Sequence, residues 1–153
     1  MNIKKIFIIF FLFTLNFTST YSLEADIFVQ STVNRASQIL SKDISKEEKI
    51  NELKSVAKET VDIIGVGFYS LGSIRKNLDK NQKKKYLVLF EDYFLKSFSS
   101  RLAEYANPEI EVKGKKVLNK NYTIVNSLLV GTSDRPEVKI DWRIYTKNPE
   151  NPL

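Results

Sequence analysis

At Pro108 the spacing of apolar residues switches from a helical repeat to strict alternation, and this switch constrains the fold more than any other feature of the chain. Before it, Tyr86, Leu87, Phe90, Tyr93, Phe94, Leu95, Phe98, Leu102 and Tyr105 recur at spacings of three and four. That spacing places them on one broad aromatic stripe, opposed by Lys83, Lys84, Glu91, Lys96 and Glu104. After it, Ile110 and Val112 alternate with charge within Glu109–Lys115, Tyr122–Val130 reads as a second strand, and Val138, Ile140, Trp142 and Ile144 alternate through a third. Gly131–Pro136 supplies the turn between the last two. Helices followed by an antiparallel meander predict an α+β domain, with the N-terminal helices packed on one face of a curved antiparallel sheet.

The residues before the long helix predict three further helical pieces. Ile27, Phe28, Val29, Val33, Ala36 and Leu40 give a first helix over Ala25–Leu40. Ser45 followed by Glu48 is a capping box that starts a second over Lys46–Thr60, with Ile50, Leu53, Val56 and Ala57 on one stripe. Val61–Gly72 is apolar nearly all round and free of charge between Asp62 and Arg75, which predicts burial. Gly65 and Gly67 weaken a helix there, so they are expected to admit a close neighbour, and Gly72 reads as its left-handed stop. The long helix begins near Asn77–Lys80 and runs to about Ala106.

The same short segment carries a false lead. Gly67 to Ser73 nearly spells a phosphate-binding loop, in which backbone N–H groups cradle the phosphates and a lysine neutralises them. Ser73 stands where the lysine belongs, and Phe68, Tyr69 and Leu71 are too bulky for a backbone that must approach an anion.

Composition removes several kinds of chemistry. The chain has 153 residues, one domain's worth, with 42% hydrophobic and 27% charged residues as in a globular protein. It contains no His and no Cys, so the usual general base near neutral pH, the common zinc ligands and any thiolate are missing. Ser70 and Ser127 have no base beside them in sequence, and the pairs Glu47-Glu48 and Glu91-Asp92 fall on polar helix faces. A binding protein is favoured over an enzyme. Lys4 and Lys5 precede the run IFIIFFLFTL, followed by small and polar residues to Ser22, the layout of a cleavable signal peptide over residues 1–22 with the mature chain starting near Leu23. Beyond it, 22 basic against 18 acidic residues leave an excess of +4, compatible with visiting an anionic membrane surface but too even to suggest nucleic acid.

Two blocks carry a family resemblance. The stretch VDIIGVGFYSLGSIRKNLDKNQKKKYLVLFEDYFLKSFSSRLAEYA resembles, without gaps, the central block of the MlaC family of periplasmic phospholipid-binding, or toluene-tolerance, proteins. DRPEVKIDWRI, Asp134 to Ile144, is similar to that family's loop and strand, with Glu137 departing where relatives carry a second proline. The resemblance implies an NTF2-like cone with an apolar cavity between sheet and helices. It also implies a shuttle with phospholipid as cargo, no cofactor, and no metal. Its partners would be an inner-membrane ABC transporter with an MCE-type subunit and an outer-membrane lipoprotein complex, and its service would be outer-membrane lipid asymmetry.

No family rule assigns single binding residues, so the expected lipid wall comes from the residues themselves: Phe68 and Leu71 below, Phe90, Phe94 and Phe98 from the long helix, and Val125, Leu128, Ile140 and Trp142 from the sheet. Family members continue past the third strand, whereas this sequence ends at Leu153, which leads to the expectation that residues 23–153 lack the C-terminal part and leave Ile140, Trp142 and Ile144 on an open edge. Three other readings stay open: a site for another hydrophobic small molecule, an enzyme on the same cone with Asp141 or Asp62 as a buried base, and a non-functional remnant.

Overall fold

The computed structural model describes residues 24–147 and 152–153, so the expected signal peptide lies outside the described residues. Helix α1 spans Ala25–Leu40, α2 Lys46–Thr60, α3 Ile63–Ser70 and α4 Lys80–Leu102, with a short 3-10 turn over Gly72–Lys76 between the last two. Strands β1 (Ile110–Asn119), β2 (Tyr122–Leu129) and β3 (Val138–Tyr145) form one antiparallel sheet in sequence order. The architecture is α+β, with helices gathered on one face of an open three-stranded sheet.

The caps explain where the helices start. Ser45 and Glu48 form the reciprocal capping box, and Glu48 is held below its ordinary carboxyl range by the bonds it accepts from the Ser45 hydroxyl and backbone. Asp79, within the Asn77–Lys80 stretch expected to start the long helix, builds a second box with Gln82 at α4. Asp62 caps α3 by accepting from the Gly65 N–H at 2.8 Å.

Both glycines of α3 serve close approaches. A Cβ on Gly65 would lie 2.0 Å from Asp62 Oδ2, and one on Gly67 would lie 3.0 Å from Leu87 Cδ2 and Phe90 Cδ1. Gly72, at φ +54°, makes the left-handed stop. The phosphate-loop likeness thus falls across the end of α3 and the 3-10 turn, where the Leu71 N–H is already bonded to the Gly67 carbonyl. Burial of this segment is only one-sided. Ile63 and Gly67 are buried against α4, but Ile64 is 58% and Tyr69 79% exposed, because no described element covers the outer face of α3.

The core is layered. Ala25, Val29 and Val33 of α1 pack on Val125 and Ile144 of the sheet. Ile39 and Leu40 of α1 meet Leu53 and Val56 of α2. Ala57 then joins Ile63 and Leu95, which ties α2 to α3 and α4.

Strand β1 is bulged between Val112 and Gly114, which puts an extra residue opposite β2 and shifts its alternation by one. Ile110 and Val112 share the helix-facing side with Leu129 and Ser127, and after the bulge Lys115, paired with Val125, takes that side. Lys115 there binds Asp26 at 2.8 Å and also Glu24, the N-cap residue, fastening the start of α1, where no side chain caps the backbone N–H groups.

Candidate functional site

A cavity of about 350 Å³ opens between the helix-facing side of the sheet and the helices. Its walls follow from the periodicities already described. Val29, Val33, Ala36 and Leu40 come from one stripe of α1, Leu53, Val56 and Ala57 from α2, and Phe98 and Leu102 from the end of α4. Ile110, Leu129, Val138, Ile140, Trp142 and Ile144 come from the three strands.

Three polar groups in this wall are turned to the protein. The Thr60 hydroxyl donates to the Val56 carbonyl at 2.7 Å, and the Ser37 hydroxyl to the Pro108 carbonyl at 3.4 Å. Trp142 donates its indole N–H to Ser127 Oγ at 2.7 Å, so the ring adds apolar surface without leaving a polar atom unpaired. Water admitted there would find few partners, and a cavity with such walls suits a hydrocarbon. Left empty, it would forgo packing on the order of several kcal/mol. Among the described residues Arg101 is the one charged residue lining it.

The nine residues expected to hold lipid divide into four groups. Phe98, Ile140 and Trp142 line the cavity together. Phe90 and Phe94 stack in a ladder with Phe98, with centroids 6.1 and 5.4 Å apart, but they pack on the Ala57, Ile63 and Leu95 cluster. They lie off the cavity because α4 is long enough for its stripe to serve several neighbours: its first half packs on α3, while its last turn packs on α1 and α2, where Phe98 and Leu102 reach the cavity. Phe68 sits in a separate surface groove with Ile64 and Lys80, and Leu71 is half-buried just past α3; neither lines the cavity.

Strand parity separates the remaining two. Val125 and Leu128 are three apart, so they fall on opposite faces of β2. Val125 faces the helices but is completely buried against α1, beside the cavity rather than in its wall, and Leu128 is on the other face. The neighbouring Leu129 reaches the wall instead. The contributions of α1 and α2 went unread as a site, although their small and medium apolar residues were legible as helix faces. Nothing in periodicity distinguishes a residue that packs on a wall from one that lines a void.

Ile140, Trp142 and Ile144 do lie on an edge strand, since β3 pairs only with β2 among the strands described, but the edge is not a bare apolar one. Their side chains turn toward the helices, Ile144 is only 4% exposed, and Tyr145 exchanges backbone hydrogen bonds with Leu153. The two acids considered as buried bases are elsewhere: Asp62 is exposed as the cap of α3, and Asp141 is exposed and accepts from Asn126 Nδ2 at 2.7 Å. Among the described residues no cluster of three or more acidic side chains is placed to hold a metal, and no helix is long and apolar enough to cross a membrane.

The sequence profile of the MlaC protein family matches residues 30–151, nearly the whole described chain. Among solved structures, the phospholipid-binding protein from Ralstonia solanacearum, determined in complex with a phospholipid, is similar with a TM-score of 0.67. The two are 14% identical, and the match covers 84% of this chain and 74% of that one. At that identity the likeness is one of fold. No curated protein matches the chain.

Proposed function

We propose, for a chain that belongs to the MlaC family, that the cavity between sheet and helices holds the acyl part of a phospholipid and that the protein carries this lipid as a shuttle through the periplasm. The observation that supports it is the wall itself: broad and apolar, built from three helices and three strands, with the Ser37 and Thr60 hydroxyls and the Trp142 indole N–H already bonded to the protein. Each buried methylene contributes about 0.8 kcal/mol, so ten of them give about 8 kcal/mol, a gross gain comparable with the cost of immobilising a ligand. No covalent chemistry is needed for that. A carrier of this kind exchanges cargo with membrane complexes. Family membership points to an inner-membrane ABC transporter with an MCE-type subunit and an outer-membrane lipoprotein complex as donor and acceptor, with outer-membrane lipid asymmetry as the service performed.

The test is native mass spectrometry with lipid extraction on the protein purified from a bacterial periplasm. Co-purifying diacyl phospholipid is expected, and Ala36→Trp, which fills the cavity from α1, is expected to stay folded and lose it. A folded, empty wild type, or a bound hydrophobe of another class, would overturn the assignment of phospholipid.

A further inference from the structure

Resting on the lipid-cavity reading, the geometry points to a phosphate-recognition subsite at the cavity rim, formed by Arg101 of the wall and by Arg135, which lies over the ring of the wall residue Tyr105. Arg101 and Tyr105 both line the cavity, from the last turn of α4 and the turn that follows it. Arg135, from the β2–β3 loop, lies with its guanidinium carbon 4.5 Å from the Tyr105 ring centroid and donates from Nη2 to the Glu104 carbonyl at 3.4 Å. The loop is held in place by the Thr132 N–H donating to the Arg135 carbonyl at 2.8 Å.

Three features separate this rim from an ordinary solvated surface. Neither guanidinium is in an ion pair with a carboxylate among the described residues, although Glu104 and Asp134 are close in sequence. Asp134 instead accepts from the Ser133 hydroxyl at 3.1 Å. Among the described residues Arg101 is the only charge in an otherwise apolar and hydroxyl-bearing wall, placed where hydrocarbon gives way to solvent. Arg135 is pre-oriented by the aromatic ring, which lowers the entropy lost when it binds. A guanidinium presents a planar fork of donors that matches phosphate oxygens, so a chain buried below would bring a phosphate to these two residues. The helix C-terminus also favours Arg101, but that term alone would not place it in the cavity wall.

The full chain, freed of lipid, is titrated with two amphiphiles of the same acyl chain, lysophosphatidic acid and the matching monoacylglycerol, with Trp142 fluorescence as the signal. Wild type is expected to bind the phosphate-bearing amphiphile about tenfold more tightly, in a salt-dependent way, as one or two exposed charge-assisted bonds allow. R101Q/R135Q is expected to bind both with the affinity wild type shows for monoacylglycerol, and glycerol 3-phosphate is expected not to compete. Equal wild-type affinities would overturn the subsite and leave the apolar cavity standing. Binding of neither would overturn the cavity reading itself, and competition by glycerol 3-phosphate at similar affinity would assign the arginines to a free phosphate ester.

Discussion

Trp142 and Ser127 are joined diagonally across β2 and β3 by an indole N–H to hydroxyl bond of 2.7 Å, beneath the wall of the cavity. Ser127 is 4% exposed, and its oxygen is the acceptor that lets a tryptophan face hydrocarbon without a stranded donor. Ser127→Ala is expected to lower stability by about 1–3 kcal/mol, the cost of an unpaired buried donor. Urea unfolding measures it, and an unchanged midpoint would show that the indole finds another partner at no cost.

The ion cluster of Lys115 with Asp26 and Glu24 carries a pH signature. The hydrogen bond from Lys115 holds the Asp26 carboxyl below its usual 3.8, against a smaller opposing effect of burial. Bonds to Asp26 and then Glu24 raise the Lys115 ammonium above its usual 10.5. The depressed carboxyl contributes stability above pH 3.8 that disappears as pH falls through its lowered folded value. The raised ammonium contributes stability below pH 10.5 that disappears as pH rises through its raised folded value. Lys115→Met is therefore expected to be less stable than wild type at neutral pH, with the gap closing at both extremes and narrowing in high salt. A gap of the same size at pH 7 and pH 2 would rule out the electrostatic origin.

Gly65 and Asp62 are expected to be non-additive. Gly65→Ala gains about 1 kcal/mol of helix propensity, but its Cβ would lie 2.0 Å from Asp62 Oδ2 and displace a cap worth about 1 kcal/mol. The single substitution is thus expected near zero, whereas adding Gly65→Ala to Asp62→Ala stabilises by about 1 kcal/mol. Thermal unfolding of the four proteins tests this, and simple additivity would contradict the cap geometry.

Much of this fold is legible in the sequence because the relevant physics is local. The capping box at Ser45, the stop at Gly72 and the change of period at Pro108 each act over a few residues, and the corresponding elements stand where their residues place them. The cavity is less legible because it depends on what faces what. One stripe on α4 reads as a single wall, yet Phe90 and Phe94 serve the α3 contact and only Phe98 reaches the void. Alternation marks Val125 and Leu128 as strand residues without saying that the inward face belongs to the set containing Val125 and Leu129. The bulge before Gly114, which turns Lys115 toward α1, has no signal in alternation alone.

The central claim, that an acyl chain lies in the cavity behind Trp142, is tested most directly by that residue, the only tryptophan in the chain. Phospholipids brominated along the acyl chain quench indole fluorescence at contact range, so loading the protein with them is expected to darken Trp142 relative to the unbrominated lipid. Ala36→Trp/Trp142→Phe, whose tryptophan fills the cavity from the α1 side, is expected to remain bright. Stoichiometric binding of brominated phospholipid with undiminished Trp142 emission would place the lipid elsewhere on the protein and contradict the account.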